Sequence, residues 1–188
     1  MSFSILLSAL AVVSTASATS GKASFYGGNT SGGACSFADY TLPSGIDGTA
    51  LSSAFWNGSA QCGACISATG PLGSVTVMVV DECPGGCNSN DLDLLQSAFT
   101  DIGTESAGII DITWEYVACP ITTPVELKNK EGVSANWFSM QARNANQAVS
   151  SLETSSDGGS TWEATTRQDY NYFENSSGVG STVDVRSK

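Results

Sequence analysis

The chain has 188 residues, seven Lys or Arg against eighteen Asp or Glu, a net charge of −11 and no histidine. The missing histidine excludes a Ser-His-Asp triad, a Cys-His dyad and any His-ligated metal site, which leaves carboxylates as the main acid–base groups. The acidity argues against nucleic acid, anionic membranes and acidic polysaccharides as partners, so neutral partners fit better.

Residues 1–18 read as a secretory signal. Ile5 to Val13 is apolar but too short to span a bilayer, and Ala16-Ser17-Ala18 is a small-x-small cleavage site. The expected localisation is extracellular. In a secreted chain the six cysteines (Cys35, Cys62, Cys65, Cys83, Cys87, Cys119) read as disulfides rather than a metal or redox site. Their spacing leaves 15 connectivities open. Asn29, Asn57 and Asn175 begin N-glycosylation motifs. No metal and no cofactor is expected.

In chain order, Ala23 to Tyr26 reads as a short strand and Gly27 to Ala34 as a Gly/Ser/Asn-rich loop. A short helix is expected near Ala54, a strand over Ala64 to Ala68 and a turn over Gly70 to Gly73. Val75 to Val80 is a β-branched run, read as a buried strand that ends in Asp81 and Glu82. Leu92, Leu95, Phe99 and Ile102 have helical spacing, with Gly103 as the stop. Asp93 lies between Leu92 and Leu94, and burial among leucines would raise its pKa, as a proton donor to a glycosidic oxygen requires. Ile109 to Val117 reads as another strand. Short strands broken by glycine turns suggest a small closed barrel.

Cys119 to Pro124 reads as a linker, because composition changes there. Residues 19–119 carry one basic residue, Lys22, against ten acids, whereas the downstream segment has no cysteine and six basic residues. Val125 to Lys130, Trp137 to Arg143, Val149 to Glu153, Trp162 to Thr166 and Thr182 to Arg186 read as strands, with a turn at Asp157-Gly158-Gly159. In WFSMQAR the side chains alternate. Trp137 falls with Ser139, Gln141 and Arg143 on a polar face, opposite Phe138, Met140 and Ala142.

The motifs Gly21-Lys22-Ala23-Ser24-Phe25-Tyr26, Gly32-Gly33-Ala34-Cys35, Cys62-Gly63-Ala64-Cys65, Val79-Val80-Asp81 and Leu92-Asp93-Leu94 resemble the barrel domain of expansins. Asn136-Trp137, Gln141-Ala142-Arg143-Asn144 and Asp169 to Phe173 resemble the carbohydrate-binding domain of microbial expansins. The resemblance implies a mainly β protein. It implies a six-stranded double-psi β-barrel over 19–119, a linker at 120–124 and an immunoglobulin-like β-sandwich over 125–188, incomplete at its C-terminal end. It implies non-hydrolytic loosening of cellulose or a related neutral β-glucan by a monomeric secreted protein, with chitin as a further candidate partner. Asp93 would be the essential groove residue, with Asp81 and Ser24 beside it. Trp137 and Tyr170 would stack on glucan and Lys130 would make a polar contact; Trp162 would be structural. Carried-over disulfides are Cys35–Cys62 and Cys65–Cys119, leaving Cys83–Cys87. Cys83 stands where the family often has an aromatic, and Asn136 where it has a further tryptophan. Rival readings are an inverting glucanase, for which Asp81 or Glu82 would have to be the base, and a non-catalytic wall-binding or defence module.

Overall fold

The structure, a computed structural model, describes residues 18–188. Apart from Ala18, the expected signal segment lies outside the described residues. The first half is a closed six-stranded barrel. Its strands are β1 (Thr19–Tyr26), β2 (Asp47–Ser52), β3 (Cys65–Gly70), β4 (Gly73–Cys83), β5 (Leu92–Leu95) and β6 (Ile110–Val117), in the order β1-β5-β2-β4-β3-β6. Two parallel pairs, β1 with β5 and β2 with β4, cross the barrel and make it double-psi rather than a meander. Short helices α1 (Ser53–Trp56) and α2 (Gln96–Ile102) follow β2 and β5.

Alternation along these strands sends Leu51, Ile66, Val77, Val79, Leu92 and Leu94 into the core, each fully buried. The helical spacing from Leu92 is misleading. Leu92–Leu95 is strand β5, and the helix begins only at Gln96. Parallel pairing with β1 and antiparallel pairing with β2 claim all four backbone units, and this tertiary ladder outweighs the 3.6-residue pattern. Gly103 does end the helix, its N–H donating to the Phe99 carbonyl.

The second half is two packed antiparallel sheets. One has the order β11-β12-β8-β7, formed by β7 (Glu126–Asn129), β8 (Phe138–Arg143), β11 (Thr166–Arg167) and β12 (Phe173–Asn175). The other is β10-β9-β13, formed by β9 (Leu152–Ser155), β10 (Glu163–Ala164) and β13 (Asp184–Ser187). Phe138, Met140, Leu152 and Phe173 form the core between them.

Two details of the second half depart from expectation. Strand β8 starts at Phe138, while Trp137 belongs to an isolated bridge with Ser134. The polar face of β8 does not meet solvent, because Ser139, Gln141 and Arg143 are all buried. Gln141 and Arg143 are covered by the barrel. Gln141 Nε2 donates to the Cys35 carbonyl at 3.0 Å and Arg143 NH2 to the Ala38 carbonyl at 2.8 Å. The segment between the halves is also fastened. Asn146 Nδ2 donates to the carbonyls of Cys119 and Ile121, and its own carbonyl receives the Cys119 N–H.

Candidate polysaccharide-binding site

Strand register assembles the barrel part of the site. Ser24 of β1 pairs with Asp93 of β5; Asp93 pairs with Ala50 of β2; Ala50 pairs with Asp81 of β4. One row therefore crosses four adjacent strands, and in-register residues share a face. A register shift in the β2–β4 pairing between Thr49 and Ala50 brings Asp81 into that row. The two aspartates are two strand spacings apart, about 10 Å between backbones, with the small Ala50 between them.

Ser24 Oγ donates to Asp93 Oδ1 at 2.6 Å. Asp93 is only partly exposed, but Leu92 and Leu94 point to the opposite side of β5 and give it no leucine cage. The expectation that these leucines desolvate it is thus corrected by alternation. Asp81 Oδ1 receives two backbone N–H groups, from Ala34 at 2.7 Å and Glu82 at 2.8 Å. Glu82 shares the row of Leu51, on the other side of β4 from Asp81, and takes the Ser53 hydroxyl at 2.7 Å.

Tyr26 belongs to the same site and was not assigned a role from sequence. It lies two residues after Ser24 on β1, hence on the same face. Its hydroxyl is buried and has no hydrogen-bond partner among the described residues. Burial, and then the nearby carboxylates of Asp81 and Asp93, push this phenol well above its ordinary range. Gly28 makes the burial possible, since a Cβ there would fall 2.0 Å from the Tyr26 ring. The period-two spacing from Ser24 was a usable signal. The Ala34 N–H had none, because every residue type but proline offers one.

The loop from Asp81 to Asp93 is closed by Cys83–Cys87. The Asp91 carboxylate ties it further, accepting from Asn88 N, Asn88 Nδ2 and the Lys22 N–H. Cys35 is bonded to Cys62 and Cys65 to Cys119, so none of the six cysteines is free.

On the second half, the part of the polar β8 face that lies beyond the barrel carries the remaining candidates. Tyr170 is 37% exposed and donates its hydroxyl to Glu174 Oε1 at 2.7 Å. The same oxygen takes the Ser139 hydroxyl at 2.9 Å. The Lys130 ammonium lies 4.9 Å from the Tyr170 ring centre and 5.0 Å from that of buried Tyr172, a cation–π arrangement on both rings. Trp137, two positions before Ser139, is partly buried, and its ring lies near Gly132, where a Cβ would be 3.7 Å away. Lys130, Tyr170, Ser139 and Glu174 thus form one cluster. Glu174 is the member missed from sequence; its facing position to Ser139 depends on strand pairing across 35 residues. Trp162 stands apart, its ring N–H bonded to the Gly159 carbonyl and the Arg186 guanidinium 4.2 Å from its centre.

The Expansin N-terminal domain family matches residues 1–114. A Bacillus subtilis relative, Expansin-YoaJ, is 36% identical over 177 residues, spanning 89% of this chain and 74% of its own length. The chain belongs to the expansin family. Expansin-like protein 5 of Dictyostelium discoideum is 33% identical, with 85% of this chain and 70% of the relative aligned. Among solved structures, a point mutant of Clavibacter michiganensis expansin in complex with cellohexaose superposes with a TM-score of 0.81 at 34% identity, covering 91% of this chain and 85% of that one. The match to this expansin-family chain therefore spans both the barrel and the paired sheets.

Proposed function

We propose that this protein is secreted and loosens cellulose or a related neutral β-glucan without cutting it. The observation that carries the reading is the row Ser24–Asp93–Ala50–Asp81, which holds hydrogen-bonding carboxylates on one barrel face with the buried hydroxyl of Tyr26 nearby. Such a face can accept hydrogen bonds from sugar hydroxyls and compete with bonds between glucan chains. The family membership and the cellohexaose-bound relative support a glucan as the ligand. Tyr170 with Lys130, and the partly exposed Trp137, supply docking, since a flat ring covers a sugar face with about 150–250 Å² of contact.

In this reading residues 1–18 are removed, 19–119 form the barrel domain, 120–124 the connection and 125–188 the docking domain. The protein acts outside the cell as a monomer, and chitin is a secondary ligand. Asn29 and Asn57, both exposed in loops, are the sequons open to glycosylation. Non-lytic action fits a site in which Asp81 is already engaged by two backbone donors and Glu82 faces away toward Ser53.

A paired assay tests the proposal. The parent should weaken filter paper or wall strips with no rise in reducing ends. Asp93→Asn should abolish weakening while retaining most cellulose binding, and Trp137→Ala should lose binding. Reducing sugars released by the parent and lost in Asp93→Asn would replace this reading with a glucanase. Unchanged retention of Trp137→Ala would remove Trp137 from the docking surface.

A further inference from the structure

The barrel face is connected to the second half by a series of hydrogen bonds that starts deep in the junction. Arg143, Gln141 and Asn171 are 6%, 0% and 4% exposed. Arg143 Nε–H donates to Gln141 Oε1 at 2.7 Å. Gln141 Nε2–H donates to the Cys35 carbonyl at 3.0 Å, joined there by Asn171 Nδ2 at 3.2 Å. The peptide unit with that carbonyl also carries the Ser36 N–H, which donates to the Gly33 carbonyl at 2.9 Å. The peptide unit of Gly33 in turn carries the Ala34 N–H, which donates to Asp81 Oδ1 at 2.7 Å. Four hydrogen bonds thus run in one direction, from a guanidinium to a carboxylate.

Direction is what distinguishes this series from ordinary packing. A cation at one end and an anion at the other align every intervening dipole, and aligned hydrogen bonds polarise one another in a buried, low-dielectric path. The backbone is shaped to permit it. Ser36 adopts a left-handed φ of 54°, and Gly33 lies so close to β4 that a Cβ would fall 2.3 Å from the Val80 carbonyl oxygen. The Cys35–Cys62 bond and the Cys35 N–H to Val80 contact fix where the segment lies. They leave the Cys35 carbonyl pointing at the second half, where Gln141 and Asn171 meet it.

We infer that Gln141 is a positioning residue for Asp81. Through two peptide groups it orients and polarises the Ala34 N–H, so the docking half completes the sugar-binding face of the barrel. The inference rests on the barrel-face reading proposed above and adds a residue that touches no sugar.

Amide NMR on the full chain tests it from both ends. Asp81→Asn, at a partly exposed position, removes the anion. It should move the amide protons of Ala34 and Ser36, and the side-chain amide protons of Gln141, upfield in declining order. If the Ser36 and Gln141 signals stay in place, no polarised series exists and the inference falls. Gln141→Met cuts the series at its other end. It should shift the Ala34 amide upfield and weaken cellohexaose binding about fivefold, the worth of roughly one net hydrogen bond. Parent-level affinity with an unmoved Ala34 signal would overturn the inference. If Gln141→Met does not fold, the Asp81→Asn shifts decide alone. Failure of the underlying reading looks different: Asp93→Asn would weaken filter paper or wall strips like the parent, whatever the amide signals do.

Discussion

The barrel and the paired sheets are stabilised by different means. The barrel buries a large continuous core, including Phe37, Trp56, Phe99 and Trp114, and holds all three disulfides. Between the paired sheets the buried core is Phe138, Met140, Leu152 and Phe173, with four partly buried valines around it and no disulfide. The smaller half makes up for this by presenting a buried polar face to the larger one. Backbone strain concentrates at the same junction. Of six non-glycine residues at positive φ among the described residues, Ser36, Asp39, Ser59, Asn144 and Asn171 all donate or accept hydrogen bonds between the halves. Strained backbone persists only where its surroundings over-determine it. The junction is therefore a specified interface, and the sheets depend on the barrel more than the barrel depends on them.

The largest expected break in that asymmetry is Phe173→Ala. Phe173 is 2% exposed and pairs with Met140, and the Arg167 guanidinium lies 4.3 Å from its ring centre. Truncating a buried phenylalanine costs about 3–5 kcal/mol, and a core of four has few neighbours able to collapse into the space. Calorimetry should show one lowered transition, because unfolding the sheets strips the partners from the Cys35 and Ala38 carbonyls. A separate barrel transition at the parent temperature would show that the halves are independent.

Next in size is the bond between Cys65 and Cys119, which spans 54 residues. Replacing both by alanine should cost about 2–4 kcal/mol by freeing the unfolded chain. Cys119 also receives the Asn146 clasp, so the loss should reach the sheets as well. The Cys83–Cys87 bond closes a separation of only 4, and its removal should shift the denaturation midpoint much less. Equal midpoints for the two double variants would contradict this ordering.

Much of this architecture was legible in sequence where one period dominates. The β-branched run Val75 to Val80 and the alternation of WFSMQAR both gave strands, because a period of two leaves little choice. The same alternation misled about what covers the second face. Ser139, Gln141 and Arg143 read as a polar face, and a polar side chain is equally at home in water or against buried carbonyls, so pattern does not say which. Leu92 to Leu95 failed for a related reason, since short apolar runs fit either period and partner strands decide. Of the site, Asp93 and Asp81 stood out from their own surroundings, Ser24 was named from resemblance, and register then placed all three in one row. Tyr26 was open to the same argument from spacing. Glu174 and the Ala34 N–H depend on contacts distant in sequence and left no local mark.

The smallest predicted effect separates the two tyrosines that mark the two halves of the site. Tyr170 is pushed up to about 12, first by its hydrogen bond to Glu174, then by burial and the Glu174 charge. Tyr26 is raised mainly by burial, with Asp81 and Asp93 adding to it. A phenol with a raised folded-state pKa contributes stability that is fully present below its unfolded value near 10 and lost as pH rises through the folded value. For Tyr170 the window is therefore roughly pH 10 to 12, and the contribution is small because the group is more than a third exposed and solvent screens it. Ultraviolet titration of tyrosinate should show Tyr170 ionising later than an exposed phenol. Glu174→Gln should bring it back toward 10 and leave Tyr26 unmoved, whereas Asp81→Asn should lower Tyr26 alone. A Glu174→Gln titration that overlays the parent would mean that the Tyr170–Glu174 contact does not persist in solution. The docking cluster would then be held by Lys130 over the two rings, and Lys130→Ala would become the variant that loosens it.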